Sequence, residues 1–358
     1  MRAICAGLMV ALALAGAAPL HARPLERWFH PADELAKVNR RLHGRVVDYT
    51  CNHGGDRRMF SASLGEKRDM YVYLPPHYSP HQQYPLVIYL HGFGQDEESF
   101  LKFVDLFDAP IACGTLPPLI IAAPDGSIRG KPSLLNAGSF YVNSRAGRFE
   151  DYVVRDVWNF VHERYTIRAE RGAHAFVGGS MGGFGAFNLG IKYRDRVGVV
   201  AGVLPPLNLR YLDCRGRYFG PFDPTCIGWR QELQPFGAIG RFAGGLVVVR
   251  ERRMIDPLYG RSRDAIGNVA RENPTEMLET YDLKPGELEM FVGYAGRDEF
   301  NLDAQAESFL HFAKCRGLTV TAVWVPNGRH NTETGKKMIP ALTEWLSPRL
   351  APYASPLR

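Results

Sequence analysis

The chain has 358 residues, of which 46% are hydrophobic and 22% charged, as expected for a globular protein with one large domain or two small ones. The net charge of +6 is modest. The only dense basic cluster, Arg250, Arg252 and Arg253, lacks the interleaved aromatic residues of a nucleic-acid interface, which argues against a nucleic-acid partner.

The N-terminus has the pattern of a signal peptide. Arg2 supplies a minimal positive region, residues 4–18 form an Ala/Leu-rich apolar stretch, and small residues follow. We expect cleavage near Ala18 or Ala22, so that residues 1–22 are removed and the mature protein is exported to the periplasm or beyond the cell. The stretch is short for a membrane span and ends at a proline, although an uncleaved anchor is the alternative.

Strand-like and helical stretches alternate along the rest of the chain. The strand-like runs are residues 45–50, 69–74, 86–90, 119–123, 174–177, 197–203, 289–294 and 319–325. The first two read as antiparallel opening strands, and helical patterns such as residues 150–165 and 181–193 separate most of the others. This order predicts an α/β domain over residues 45–350, with a mainly parallel sheet and helices on both faces. Ligands of such sheets bind at the carboxyl ends of the strands.

The apolar run at residues 86–90 ends in His91, Gly92, Phe93 and Gly94. Glycines at a strand end let the backbone turn so that an N–H can point at a developing oxyanion. We expect the N–H of Phe93 to be this donor, with Gly94 as the alternative, and His91 to have a structural role. An ordinary turn at the end of a strand is the competing interpretation.

The most informative motif is the segment GGSMGG at residues 178–183, which lies between a strand-like run and a helical stretch. Strand, sharp turn and helix form the context in which G-x-S-x-G holds a nucleophilic serine. Glycines are needed because a serine at a strained turn leaves no room for neighbouring Cβ atoms. The motif predicts Ser180 as the nucleophile and the N–H of Met181 as the second oxyanion donor. A glycine-rich loop without function is the alternative.

The interval between two predicted core strands, residues 205–285, is far longer than a normal loop. It is irregular and rich in Gly, Pro and Tyr at first, and helical in character over residues 257–281. We expect it to be a cap or lid over the active site; a decorated crossover far from the pocket is the alternative. The aromatic-rich residues 138–144 are a second candidate wall of the pocket.

The last two predicted strands supply an acid and a histidine. Asp298 and Glu299 follow the run at residues 289–294, and we prefer Asp298 because it comes first after the turn. His330 follows the final run and is the candidate general base. The chain order Ser180, Asp298, His330 matches one of the known orders of serine hydrolase triads.

Removal of the leader reduces six cysteines to five. Cys214 and Cys226 lie close in sequence, and we expect them to form a disulfide, which an oxidising compartment allows. A pair between Cys51 and Cys113 is a second expectation, and one cysteine would stay unpaired. The sequence has no Cys-x-x-Cys pair and no His/Cys cluster with zinc spacing, so we expect no metal site.

With these motifs, the chain resembles esterases of the α/β-hydrolase superfamily, the group that includes esterase D, feruloyl and acetyl-xylan esterases and mycolyltransferases. The resemblance extends from about residue 45 to residue 346. The segments that carry it are LHGFG at 90–94, GSFY at 138–141, GGSMGG at 178–183, GRDEF at 296–300 and GRH at 328–330. It implies an α/β-hydrolase fold with Ser180 as nucleophile, Asp298 as orienting acid, His330 as base, and Phe93 and Met181 as oxyanion donors. The interval 205–285 departs from the compact esterase D pattern, which leaves the substrate open.

We therefore expect an exported serine carboxylic-ester hydrolase that forms an acyl-enzyme and needs no cofactor. The resemblance and the leader favour a small-molecule or glycan-linked ester, such as a carbohydrate or cell-wall acyl ester, as substrate. An acyltransferase, in which a hydroxyl acceptor replaces water, is a close variant. A non-catalytic binding protein on a hydrolase scaffold is the alternative from another class, and the complete, ordered triad argues against it.

Overall fold

A computed structural model of the chain describes residues 32–132, 138–262 and 264–354. The signal peptide predicted for residues 1–22 lies outside these ranges. The described strands, in chain order, are β1 (Arg45–Tyr49), β2 (Met59–Ser61), β3 (Glu66–Arg68), β4 (Met70–Leu74), β5 (Leu86–Leu90), β6 (Ile120–Pro124), β7 (Asn143–Ser144), β8 (Gly147–Arg148), β9 (His174–Gly179), β10 (Val199–Val203), β11 (Tyr211–Leu212), β12 (Gly228–Trp229), β13 (Ala238–Phe242), β14 (Val247–Arg250), β15 (Glu289–Ala295) and β16 (Val320–Val325).

Eight of these strands form one sheet in the order β1-β4-β6-β5-β9-β10-β15-β16. The six strands from β6 to β16 in this order are parallel, whereas β4 is antiparallel to both of its neighbours. Strands β4, β5, β6 and β10 are buried along their whole length, which is why they read as continuous apolar runs rather than alternating ones. The predicted α/β architecture and the antiparallel opening pair are confirmed.

Helices cover both faces of this sheet. They are α1 (Ala32–Arg41), α2 (Asp105–Ala112), α3 (Phe149–Asp151), α4 (Trp158–Arg164), α5 (Met181–Lys192), α6 (Glu251–Tyr259), α7 (Ala265–Glu272), α8 (Pro274–Thr280), α9 (Leu302–Cys315) and α10 (Thr332–Leu350). One core cluster joins the sheet to α5, α8 and α9, and a second joins its other face to α1, α2 and α10. Within β9, Phe176 belongs to the first cluster and Val177 to the second, as the two-residue period of a strand requires.

Between β10 and β15 the chain leaves the sheet, forms the hairpins β11–β12 and β13–β14 and helices α6 and α7, and returns through α8. The departing and returning segments are hydrogen-bonded to each other. The backbone N–H of Thr275 donates to the Leu207 carbonyl at 3.0 Å, and that of Leu209 donates to Asn273 Oδ1 at 2.9 Å. The Asn273 amide also donates to Asn208 Oδ1 at 3.1 Å, and both asparagines are fully buried.

We call residues 207–209 and 273–275 the neck, and the chain between them the excursion. Within the predicted cap interval 205–285, Met277 and Leu278 are fully buried in the first core cluster. Helix α8 therefore belongs to the crossover that returns the chain to the sheet. Within this interval, the part that extends away from the sheet and its packed helices is the excursion.

The predicted disulfide between Cys214 and Cys226 is present in the excursion, with the two Cα atoms 5.3 Å apart. The second expected pair is wrong: Cys51 and Cys113 are free and exposed, as is Cys315. Cys113 directly follows α2, and its Sγ lies 3.3 Å from Thr115 Oγ1. Cys51 follows β1 and donates its backbone N–H to Asp69. The fold thus gives each thiol a separate environment.

Candidate active site

Ser180 occupies the turn between β9 and α5 with φ of 52° and ψ of −118°. A positive φ is unfavourable for a residue with a Cβ atom, so the neighbouring structure must hold it. The Ser180 N–H donates to the Val203 carbonyl at 2.8 Å. A Cβ atom on Gly182 would overlap the backbone of Leu90, and one on Gly178 would overlap the first turn of α5. The glycines of the motif therefore allow the strained turn.

His330 lies in the loop between β16 and α10, beside the serine. Its Nε2 is 2.8 Å from Ser180 Oγ, and its Nδ1 is 2.8 Å from Asp298 Oδ2. Because an ionised carboxylate only accepts hydrogen bonds, Nδ1 carries the proton and donates, which leaves Nε2 free to accept the Ser180 O–H. The structure thus brings the three residues predicted from distant segments into one hydrogen-bonded line.

The two adjacent acids, Asp298 and Glu299, make different contacts. The side chain of Asp298 is fully buried, and its Oδ1 accepts the N–H of Phe300 at 2.8 Å. Glu299 accepts the backbone N–H of His330 at 2.8 Å through Oε2, and its Oε1 lies 2.8 Å from the Arg329 guanidinium. The carboxylate that contacts the imidazole ring therefore belongs to Asp298, the acid preferred from the sequence. The role of Glu299 at the main chain was not predicted.

A buried histidine, His91, holds the loop after β5 in place through its hydrogen bonds. His91 Nε2 accepts the N–H of Gly126 at 2.8 Å, so its Nδ1–H donates to the Gly92 carbonyl at 2.9 Å. The Gly92 N–H donates in turn to Gln95 Oε1 at 3.0 Å. Gly94 completes the turn with φ of 74°. These contacts agree with the structural role expected for His91.

The predicted oxyanion donors border the same cavity as Ser180 and His330. The side chains of Phe93 and Met181 meet at Gly138, where a Cβ atom would overlap Met181 Sδ and lie 2.9 Å from the Phe93 ring. Met181 is the first residue of α5, and N–H groups in the first turn of a helix have no intrahelical acceptor. This helix end also carries the positive pole of the helix dipole, which favours negative charge.

A cavity of about 380 Å³ contains Ser180 and His330 in its wall. Most of its lining side chains are apolar, and they come from the sheet, the predicted aromatic loop and the excursion. The apolar residues include Phe93, Phe103, Phe107, Phe140, Phe184, Val203, Leu209, Ile239, Phe242, Met254, Ile255, Leu258, Val269, Phe300 and Ile339. Both walls expected from the sequence, the loop at 138–144 and the excursion, therefore contribute to the cavity.

The excursion also places a buried ion pair in this apolar wall. Arg230 Nη1 lies 2.7 Å from Glu251 Oε1, and the two side chains are only 6% and 3% exposed. The guanidinium lies over the ring of Tyr218, whose hydroxyl donates to the Phe300 carbonyl at 2.8 Å. The Phe300 ring packs edge-on against His330, with the ring centres 4.9 Å apart. No motif marks these partners in the sequence, because only the folded excursion brings them together.

Acidic side chains cluster next to the loop that follows β5, and two of them, Glu97 and Asp125, are buried. Burial, reinforced by the charge of Asp125, raises the pKa of Glu97 to about 9. Burial also raises the pKa of Asp96 to about 6. For Asp125 burial opposes ionisation, but the charge of the Arg68 guanidinium and the hydrogen bond from the Ser127 N–H to its Oδ1 outweigh burial and lower the pKa. Glu97 is therefore neutral at physiological pH, whereas Asp125 is charged.

Within the described residues, no group of His, Cys, Asp and Glu side chains is arranged to hold a metal ion. Among the helices described, none combines the length and the apolar character needed to cross a membrane.

Comparison with known proteins assigns the family. A family model described as "Putative esterase" matches residues 61–349. An esterase of Mycobacterium tuberculosis is 27% identical over 246 residues, which cover 67% of this chain and 46% of that protein. The chain thus spans about half the length of this curated relative. An S-formylglutathione hydrolase of Arabidopsis thaliana is 26% identical over 192 residues, or 47% of this chain and 66% of that protein.

Solved structures share the architecture. A ferulic acid esterase superimposes with a TM-score of 0.59 at 18% identity, over 86% of this chain and 99% of that one. An S-formylglutathione hydrolase from Agrobacterium tumefaciens gives a TM-score of 0.60 at 16% identity, over 86% and 96% of the two chains. These neighbours confirm the α/β-hydrolase fold, and the family match confirms the resemblance seen in the motifs. The chain belongs to the esterase family that this model defines.

Proposed function

We propose that the protein is a serine carboxylic-ester hydrolase, with Ser180 as nucleophile, His330 as general base and Asp298 as the acid that orients the base. The observation that carries the proposal is the hydrogen-bonded line from Ser180 Oγ through the His330 ring to Asp298, with both contacts at 2.8 Å. A nucleophile, a base within hydrogen-bond reach and a third group that orients the base are the parts needed for acyl transfer.

Acylation follows from this geometry. As Ser180 Oγ attacks the ester carbonyl carbon, His330 Nε2 takes the hydroxyl proton, and the imidazolium is stabilised by the buried carboxylate of Asp298. The tetrahedral intermediate collapses when the C–O bond to the alcohol breaks and His330 returns the proton to the leaving oxygen. Water then attacks the acyl-enzyme with the same base, which releases the acid and restores the serine.

We assign the oxyanion to the backbone N–H groups of Phe93 and Met181. Support comes from their position in the cavity wall beside Ser180, from the start of α5 at Met181, and from the hydrogen bonds of His91 that fix the preceding loop. Donors held in place before the reaction stabilise the developing charge without reorganising during it.

The cavity suggests the kind of substrate. Its predominantly apolar wall favours an apolar or aromatic acyl group, since burial of such a group removes it from water. The excursion supplies much of this wall, and we infer that it acts as the cap over the site. Several solved neighbours are named feruloyl or ferulic acid esterases, which agrees with carbohydrate-linked or cell-wall acyl esters as the natural substrates.

We further propose that the mature enzyme is exported after removal of residues 1–22. The disulfide between Cys214 and Cys226 supports this, because disulfides persist in oxidising compartments and are rare in the reducing cytosol. Mass spectrometry of protein recovered from the periplasm or the medium would identify the N-terminus. An intact Met1 on the exported protein would contradict cleavage.

The first experiment compares hydrolysis of p-nitrophenyl acetate, butyrate and octanoate by the wild type, Ser180→Ala and Ser347→Ala. Ser347 is a matched control because it lies near the far end of α10. We expect turnover by the wild type and by Ser347→Ala, and only background turnover by Ser180→Ala. A fluorophosphonate probe should label the same two active proteins.

Circular dichroism must show that Ser180→Ala is folded. Full activity in that variant would remove Ser180 from the mechanism. A folded wild type that neither hydrolyses these esters nor reacts with the probe would favour a binding protein instead.

A further inference from the structure

Exposed apolar side chains are concentrated on one hairpin of the excursion. Of five large hydrophobic side chains exposed in the described residues, three belong to residues 236–253: Phe236, Leu246 and Val248. Leu246, near the tip, is 89% exposed. Exposed apolar side chains grouped on one segment are typical of interaction sites. We call residues 236–253, which include β13, β14 and the start of α6, the arginine hairpin.

The arginine hairpin has two different faces. Along β14, Val247 and Val249 are half-buried whereas Val248 and Arg250 are exposed. Val249 packs on the cluster formed by Met254, Ile255 and Val269, which also lines the cavity. One face of the hairpin is thus a wall of the candidate active site, and the other face and the tip point into solvent.

The tip protrudes from the molecule. Gly244 and Gly245 have φ values of 67° and 94°, and a Cβ atom added to either would meet no atom within 4 Å. Leu246 follows directly on this open turn. A protruding apolar side chain gains little against a flat, rigid surface, but it can insert into a deformable apolar medium such as the acyl region of a lipid layer.

Positive charge lies along the arginine hairpin, from Arg241, which pairs with Val248 near the tip, to the arginines at its base, where β14 ends and α6 begins. The arginine hairpin carries Arg241, Arg250, Arg252 and Arg253, and in the part of the chain that the structure describes none of them forms an ion pair with a carboxylate. The acid among them, Glu251, is buried and paired with Arg230. Two of the four guanidinium groups lie over exposed or half-buried aromatic rings, Arg252 over Phe236 and Arg241 over Phe219. The charges remain available to an anionic partner.

We propose that the arginine hairpin docks the protein on an anionic lipid surface, with Leu246 inserted among the acyl chains and the four arginines at the phosphate groups. The pairing of an apolar insertion with basic residues is the pattern of peripheral membrane binding, in which neither contribution alone is strong. The hairpin shares its inner face with the apolar cavity, so docking brings the lipid surface next to the candidate active site. Binding requires none of the ester chemistry proposed above and is measured separately from it.

The test is co-sedimentation of the mature chain with vesicles of phosphatidylcholine alone, or of phosphatidylcholine and phosphatidylglycerol in equal parts. We expect binding to the anionic vesicles, weakened by salt because the arginine contribution is screened. Leu246→Asp should lower the partition coefficient by about tenfold, from the lost apolar burial. The double variant Arg241→Gln/Arg252→Gln should lower it by roughly fivefold for each charge removed.

Phe60→Asp is the matched control, because Phe60 is 63% exposed on β2, outside the excursion. It should bind vesicles like the wild type, and Leu246→Asp should hydrolyse p-nitrophenyl acetate at the wild-type rate. Equal losses in Leu246→Asp and Phe60→Asp would overturn the proposal, as would equal binding to neutral and anionic vesicles. Absence of vesicle binding by the folded wild type would also overturn the proposal. The exposed hairpin would then be assigned to the binding of a protein partner.

Discussion

The backbone N–H of His330 donates to Glu299 Oε2 at 2.8 Å, while the ring of the same histidine is bonded to the preceding acid, Asp298, at 2.8 Å. Two consecutive carboxylates thus hold the main chain and the side chain of one residue. The charge-assisted hydrogen bond to Glu299 fixes the position of the His330 backbone, and the one to Asp298 fixes the rotation of its imidazole ring. The loop after β15 therefore determines where the candidate base sits.

Substitution of the two acids should separate these roles. Asp298→Asn should lower kcat by roughly 10⁴-fold, the size of the loss when the acid of a serine triad becomes an amide, because Nδ1–H loses its ionised acceptor. Glu299→Gln keeps an oxygen that can accept the His330 N–H and loses only a partly exposed contact with Arg329, so its kcat should fall by less than about tenfold. Steady-state kinetics with p-nitrophenyl butyrate measures both. The reverse ranking would make Glu299 the orienting acid.

The raised pKa of Glu97 predicts that stability falls as the pH rises from about 4.5 to about 9. Between its ordinary value of 4.5 and about 9, the folded protein keeps a proton that the unfolded chain has lost. The unfolded state then binds fewer protons, so the free energy of unfolding falls as pH rises, by about 1 kcal/mol per pH unit for such a group. Below pH 4.5 both states are protonated and this contribution is constant.

Glu97→Gln tests this dependence, because its amide oxygen can still accept the Asn52 side-chain N–H that now lies 2.9 Å from Glu97 Oε1. The variant should be more stable than the wild type at pH 8 and should lose this advantage near pH 4. Glu98→Gln, one residue away and outside the buried set, is the control. Thermal unfolding between pH 4 and pH 8 measures the stability of each protein. The same pH dependence of stability in the wild type and in Glu97→Gln would refute the prediction.

The turn at Ser180 should tolerate no side chain on Gly182. A methyl group there would overlap the Leu90 backbone, so Gly182→Ala should destabilise the fold by about 3 kcal/mol or more and abolish activity. Gly55→Ala is the matched control, because a Cβ atom at Gly55 meets nothing within 4 Å. Urea unfolding of the two variants compares them. Wild-type stability in Gly182→Ala would mean that the turn relaxes without cost.

Thiol titration should distinguish the two cysteine environments. The native mature chain should react with a thiol reagent at three positions, Cys51, Cys113 and Cys315. Reduction should expose two more thiols, from Cys214 and Cys226. Peptide mapping of the labelled protein identifies the sites. A native chain with a single reactive thiol would restore the rejected pair between Cys51 and Cys113.

Much of the fold was predictable because its information is local. The parallel strands appear as apolar runs, and the strained turn at Ser180 needs glycines that stand out in the sequence. Asp298 and His330 follow strands that end at the same edge of the sheet, so their proximity to Ser180 follows from topology.

The features that could not be predicted depend on contacts between segments that carry no recognisable sequence motif. The pairing of Arg230 with Glu251, and the bond from the His330 backbone to Glu299, arise only when irregular chain folds back on itself. The expected pair of Cys51 and Cys113 was wrong for the same reason, since sequence spacing says nothing about the direction in which two loops carry their thiols.

The neck has a consequence for the diversity of such enzymes. Because Leu207 and Thr275 are joined by a backbone hydrogen bond of 3.0 Å, the excursion begins and ends at one point on the core. A segment of another length could be inserted there with little change in loop-closure entropy, which grows only slowly with length. Strands β10 and β15 pair directly and would keep their register. Recombination at this point could therefore exchange the substrate-facing wall while the reacting groups stay in place.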